Sequence, residues 1–320
     1  MTSHHLPLLQ DDAWPLIAGI ATVLIVASVS GRVLKITLAR RRPHAVIDNL
    51  NSRIDAWWVI ASIFGLALLA GAGGLTVLFA LASLAALREF VAGETSRRIP
   101  RTLLLGSFVF VVPLQYLLVW NGSYALYSSF IPLLVVVGLP LLSLLAGNGG
   151  ASAMRIRTLQ AGLLICVFSI SYIPALLTLP ISGQPGSNTF LLVFLVLVVQ
   201  ASDVLQYLWG KLAGRHAIAP QLSPEKTVEG TIGGIATASA LGAALASITP
   251  FSVPEAALIS LLITLLGFLG GLAMSALKRS RGIKDWSKLI PGHGGMLDRL
   301  DSLFLSAPAF FYLLRFGWAD

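Results

Sequence analysis

Ten stretches of this sequence are almost purely apolar: 14–30, 56–72, 74–90, 103–120, 124–146, 159–179, 190–209, 231–249, 254–274 and 302–318. Each meets or nearly meets the roughly 20 residues of helix that cross a bilayer's hydrocarbon core. In that solvent every backbone polar group must find its partner within the protein, so a chain with runs this long spans as helices. The expected fold is an all-α integral membrane protein, a polytopic helical bundle of about ten transmembrane helices. Charge content agrees, because only 11% of the residues are charged, against about 25% in soluble domains. Only the glycine-rich turn Gly71 to Gly74 separates the second run from the third, which predicts a tight helical hairpin.

The charges set the orientation. With the N-terminus outside, the cytoplasmic connections are 31–55, 91–102, 147–158, 210–230 and 275–301. Counting Arg88 at the edge of the second, they hold all of the 22 Lys and Arg residues except Arg315. Basic residues accumulate in cytoplasmic loops, so this asymmetry supports an even span count with both termini outside. The net charge of +8 is then a topological signal rather than a nucleic-acid footprint, and Arg40-Arg41-Arg42 reads as an orientation determinant. Residues 1–12 have no basic stretch and no small-residue cleavage site follows, so the first run reads as a retained span. Cys166, the one cysteine, reads as a small buried apolar residue. The chain divides at about residue 190. N-terminal helices (1–190) precede a catalytic region (191–320) whose motif loops are 210–230 and 275–301.

Those two loops, with the helix ends beside them, carry the chemistry. Asp203 lies inside an apolar helix, where an acid costs about 3 kcal/mol at the centre of a span and usually marks a site. Gln206 and Gly210 share its helix face. The segment Ser223-Pro224-Glu225-Lys226-Thr227-Val228-Glu229-Gly230, followed by Gly233-Gly234, offers hydroxyls, a lysine and glycines before a helix N-terminus, where backbone N–H groups can receive phosphate. The second loop gathers Lys278, Arg279, Arg281, Lys284 and Lys288 with Asp285, Asp298 and Asp301 around the turn Pro291-Gly292-His293-Gly294-Gly295. Carboxylates with few other ligands suit Mg²⁺, which shares substrate phosphates, and neighbouring cations suit the same phosphates. The combination points to metal-assisted phosphoryl or nucleotidyl transfer. Trp209 and Trp286 are expected as interfacial anchors, and Gly267 with Gly271 as a small-residue helix-packing pair.

The run Ser275-x-x-Lys278-Arg279-x4-Lys284-Asp285 and then Pro291-x-His293-Gly294-Gly295-x-x-Asp298-Arg299-x-Asp301 resembles the signature of the phosphatidate cytidylyltransferase family, also called CDP-diacylglycerol synthases. Ser202-Asp203 and Ser223-Pro224-x-Lys226-Thr227-x-Glu229-Gly230 resemble its second motif region. The likeness is dense over 200–302. It departs where family members often read Asp-Thr-Gly-Ala-Tyr and this chain has Asp203-Val204-Leu205-Gln206-Tyr207. The stretch Asn49 to Trp58 resembles a diverged bacterial subgroup, which leaves the acceptor lipid open.

The resemblance implies a bacterial inner-membrane enzyme with its active site on the cytoplasmic face. It would make CDP-diacylglycerol and pyrophosphate from CTP and phosphatidate, for phospholipid biosynthesis. Asp285, Asp298, Asp203, Lys284 and Arg299 are the expected catalytic residues. Ser223, Lys226, Thr227, Lys278, Arg279, His293, Gly294 and Gly295 are expected to bind substrate. Mg²⁺ would sit on Asp285 and Asp298, with Asp203 and Asp301 as further candidates. A second cation such as K⁺ and a homodimer are compatible with the same reading, and no nucleic-acid partner is expected. The alternatives are a cytidylyltransferase or CTP-dependent kinase for another lipid, or a lipid-binding or transport protein of the membrane.

Overall fold

A computed structural model of the protein describes residues 13–37, 45–92, 101–145, 150–181, 187–290 and 294–319. All ten apolar runs fall in helices. These are α1 (Ala13–Thr37), α2 (Ala45–Leu69), α3 (Gly71–Ala92), α4 (Arg101–Trp120), α5 (124–145), α6 (150–178), α7 (Ser187–Ala213), α8 (Val228–Ala244), α9 (Val253–Ser280) and, after the single-turn α10 (Leu297–Leu300), α11 (Leu303–Gly317). Among the described residues six helices are long and apolar enough to cross a membrane: α3, α4, α5, α6, α7 and α9. Ile54–Leu69 and α11 are shorter apolar helices. The expected α2–α3 hairpin is present. Its turn is Ala70, and Gly71 takes φ +72°, a left-handed conformation that suits glycine.

The all-helical expectation needs one correction. Part of the 210–230 loop is a two-stranded antiparallel sheet, β1 (Ala217–Ala219) with β2 (Ser223–Thr227), in which Ala217 pairs with Thr227 and Ala219 with Ser223. It follows the end of α7, so its open edges lie outside the apolar helices.

One hydrophobic core runs from Leu68 to Leu314 and crosses the boundary at 190 without a break. Tyr127, Tyr172 and Phe311 interlock in edge-on contacts, which joins α5 and α6 to α11. Buried polar groups pair across helices, as an apolar interior requires. Tyr116 donates to the carbonyl of Phe79 at 2.9 Å and meets Ser83 at 2.6 Å, while Gln115 donates to Ser171 and to the carbonyl of Tyr127 at 3.0 Å each. Cys166 is buried and unoxidised, as expected.

Helices α4 and α5 each contain a π-helical turn, Ser107–Val111 and Leu134–Gly138. Each turn ends two residues before a proline, Pro113 or Pro140. A proline removes a ladder donor and crowds the carbonyl four residues earlier, and the widened turn accommodates both effects.

Candidate active site

The site is built where α7, β2, α8, α9 and α11 meet. Thr227 is both the last residue of β2 and the N-cap of α8, its hydroxyl accepting the N–H of Gly230 at 3.1 Å. Helix α8 then lies directly on α7. A Cβ at Gly230 would stand 2.8 Å from the carbonyl oxygen of Gln206, and one at Gly234 would collide with the Gln206 side chain. These glycines serve close helix packing. Gly230, Gly233 and Gly234, expected as flexible glycines before a helix N-terminus, lie within α8 and pack on α7.

That packing aims Lys226 inward. Its Nζ lies 5.0 Å from the centroid of the Phe268 ring and 3.0 Å from where a Cβ on Gly271 would sit. Gly267 does pack against a neighbouring helix, at Ser302 and Ser306 of the α11 end. Gly271 instead leaves room for an ammonium group. The charged neighbours of Asp203 are Lys226 and Arg299, with Ser302 also facing it. Asp301 interacts with Asp203, Lys278, Lys226 and Arg299. Two acids and three cations thus share one low-dielectric region, with Asp203 inside α7, Lys278 near the end of α9, and Arg299 and Asp301 just before α11. Asp301, in the turn before α11, has its carboxyl pushed up to about 7 by burial and by the charge of Asp203, against the pull of the three cations. Arg299 Nε is buried there without a hydrogen-bond partner among the described residues. Most buried polar groups are paired, so this one calls for a partner.

The glycine turn is held differently from the sequence expectation. Asp298 is buried, and both its oxygens are occupied. Oδ1 accepts from Lys278 Nζ at 2.7 Å, while Oδ2 accepts the N–H groups of Trp286 at 2.9 Å and Gly295 at 2.8 Å. Asp285, by contrast, is exposed, as is Lys284. Gly294 has φ +81°. A Cβ there would stand 2.7 Å from Asp298 Oδ2, and one on Gly295 would run into the carboxylate of Glu89. The paired glycines are wedged between two carboxylates.

Glu89 was not anticipated. It lies near the end of α3 and is buried. Its Oε1 accepts from the Ser287 hydroxyl at 2.7 Å and the Met296 N–H at 2.9 Å, and its Oε2 accepts from the Leu297 N–H at 2.8 Å. Beside it Arg281 donates to the carbonyl of Phe90 at 2.7 Å and lies 4.2 Å from that ring's centroid. Trp286 stacks on the same ring at 5.3 Å. Trp286 is therefore a buried clamp residue, not an interfacial anchor. The sequence signal for Glu89 is weak, since an acid at the end of an apolar run costs less than one inside it, as Asp203 is.

The remaining expected residues are spread more widely. Ser223 sits in β2 opposite Ala219. Arg279 is spent on the carbonyls of Leu222 at 3.2 Å and Ile283 at 3.3 Å, tying the β-turn to the end of α9. His293 lies outside the described residues. Glu229, in the first turn of α8, accepts the N–H groups of Arg215 and His216 and meets the His216 ring. The Arg215 N–H first, and then His216, hold its carboxyl down to about 2. Among the described residues no three His, Cys, Asp or Glu side chains gather as a cage for a metal ion.

A family model described as "Cytidylyltransferase family" matches residues 51–317, which includes every element of this site. The chain belongs to the cytidylyltransferase family. It is 36% identical over 302 residues to the uncharacterized protein YnbB of Escherichia coli K12, covering 94% of this chain and 97% of that one. It is 31% identical over 144 residues to the phosphatidate cytidylyltransferase of Haemophilus influenzae, covering 42% and 48% respectively. With the phosphatidate cytidylyltransferase of Mycobacterium leprae the figures are 39% over 114 residues, 35% and 36%. The chain thus matches half or less of the length of these two named enzymes.

Proposed function

We propose that this cytidylyltransferase-family protein transfers CMP from CTP to phosphatidate at the cytoplasmic face of the membrane, giving CDP-diacylglycerol and pyrophosphate. The observation that carries this reading is the gathering of Asp203, Asp301, Lys226, Lys278 and Arg299 where apolar helices meet the two motif loops. Such a place lets lipid tails stay in the bilayer while a nucleotide enters from water. The attacking group is a phosphate oxygen that is already anionic, so no strong base is needed. The obstacle is repulsion between two polyanions.

Asp203 and Asp301 fit Mg²⁺. They are two carboxylates close enough for one charge to act on the other, and an ion that keeps waters and shares substrate phosphates needs only one or two protein ligands. Bound there, the ion would supply charge neutralisation at the reacting phosphate. Asp298 already accepts three hydrogen bonds, and its role in this reading is to fix the turn that carries Arg299 and precedes Asp301. Lys226 and Arg299 offer their positive charge to the lipid phosphate and the departing pyrophosphate, and Arg299 Nε is the unpaired donor suited to an incoming oxygen.

The test is the purified protein in detergent with labelled CTP, Mg²⁺ and a panel of lipid phosphates. Lipid-linked CMP formed fastest on phosphatidate supports the reading. Faster formation on another lipid phosphate reassigns the acceptor, and none on any of them removes the reading.

A further inference from the structure

We propose that Glu89 is a positioning residue for this reaction: from α3, it sets the turn that carries Asp298, Arg299 and Asp301. The proposal rests on the functional reading above for what the turn does, and on geometry alone for what holds it. Three donors converge on one buried carboxylate. Ser287 comes from before the Pro291–His293 stretch, and the N–H groups of Met296 and Leu297 from after it. Those two N–H groups open α10, the single helical turn that presents Asp298 and Arg299. A helix this short cannot hold its own first turn, because forming one turn alone is unfavourable. Its orientation therefore depends on what its first N–H groups meet, and they meet Glu89.

The hold is specific. Gly295 has no side chain where the Glu89 carboxylate passes, and Gly294 has none where Asp298 passes. Asp298 grips the same turn from the other side through Gly295 and Trp286. Trp286 in turn stacks on Phe90, the residue next to Glu89. Arg281 ties the end of α9 to the same helix end through the Phe90 carbonyl. The end of α3 is thus the surface on which the second motif loop is cast. A tilt of α10 would carry Arg299 and Asp301 away from Asp203 and Lys226, which sit on other elements. An ångström of misplacement is enough to slow a reaction greatly.

Glu89→Gln keeps the size and removes the hold. One amide oxygen cannot serve donors on both sides, and in either orientation the new NH₂ faces a backbone N–H, that of Met296 or that of Leu297. Hydrogen exchange in peptides covering 294–300 should quicken by about tenfold or more, the factor expected for a lost charge-assisted bond, while peptides of α9 and β2 keep their wild-type rates. In the transfer assay kcat should fall by at least about tenfold, because the geometry at the reacting centre is lost. Glu89→Asp, one methylene too short, should rescue neither. Ser287→Ala removes one donor and leaves no buried group facing a wrong partner. It should quicken exchange at 294–300 by about threefold, and it carries the test if Glu89→Gln fails to accumulate. Unchanged exchange in either variant overturns the proposal. Faster exchange with an unchanged kcat also overturns it, leaving Glu89 a packing residue only. If the wild-type protein transfers no CMP to any lipid phosphate, the functional reading fails, and exchange still decides whether Glu89 holds the turn.

Discussion

Asp298→Asn separates two roles that the motif alone cannot distinguish. The carboxylate sits at 5% side-chain exposure against Lys278 at 12%, and its two oxygens serve one ammonium and two backbone N–H groups. An asparagine can turn its oxygen to only one side. Turned toward Trp286 and Gly295, it sets an NH₂ against the Lys278 ammonium. Turned toward Lys278, it sets the NH₂ against two N–H groups. Breaking a buried pair on one side costs about 3–5 kcal/mol, and the residual exposure of Lys278 places the expected loss near the lower end, about 3 kcal/mol. Asp285→Asn, at an exposed position, should stay within about 0.5 kcal/mol of wild type. Replacing both partners, Asp298→Asn with Lys278→Met, should recover at least about 1 kcal/mol of the single-variant loss, because no uncompensated charge remains. Denaturant unfolding of purified protein in micelles measures all three. An Asp298→Asn variant as stable as Asp285→Asn would refute the reasoning and return Asp298 to the role of a free ligand.

Gly271→Ala would add a methyl 3.0 Å from Lys226 Nζ. It should slow transfer by roughly severalfold, as small misplacements at a reacting centre do, with unfolding unchanged or improved by the alanine's helix preference of about 1 kcal/mol; normal turnover would show that Lys226 is not at the site. Asp301 takes up its proton near pH 7 when folded and near about 3.9 when unfolded. Between those values the folded state binds more protons, so stability should fall as pH rises from 4 to 7, and Asp301→Asn should flatten that slope; a slope unchanged in the variant would contradict the burial argument. The orientation read from the charges predicts that a cysteine placed at 185 labels from outside intact cells and one at 150 does not. Cys166 is buried and silent in that assay, and outside labelling at 150 would reverse the topology.

Much of this was legible because lipid leaves a helix few alternatives. The ten apolar runs fall in helices, and Asp203 stood out as an acid where acids are expensive. The hairpin did not stand out. Ser223 to Thr227 is short and polar, contains Pro224, and shows none of the alternation that marks a half-buried strand. The motif residues were visible, but their division of labour was not. Asp298 and Asp301 are three apart, and nothing in that spacing says that one faces Lys278 and two backbone N–H groups while the other faces Asp203. Glu89 was missed because its partners are more than 190 residues away, and two of its three bonds go to backbone N–H groups that no sequence pattern displays. Gly230 and Gly234 carry the same lesson, since a glycine before a phosphate and a glycine beneath a neighbouring helix look alike in sequence.

In the proposed reaction the nucleotidyl group, not the terminal phosphate, passes to the lipid. Purified protein given phosphatidate, Mg²⁺ and CTP labelled at either the α- or the γ-phosphorus tests it directly. Label should enter the lipid from α-labelled CTP alone, with pyrophosphate released in equal amount and both abolished by chelating the metal. Lipid label from γ-labelled CTP, with CDP as the other product, would make the protein a lipid kinase and contradict the account.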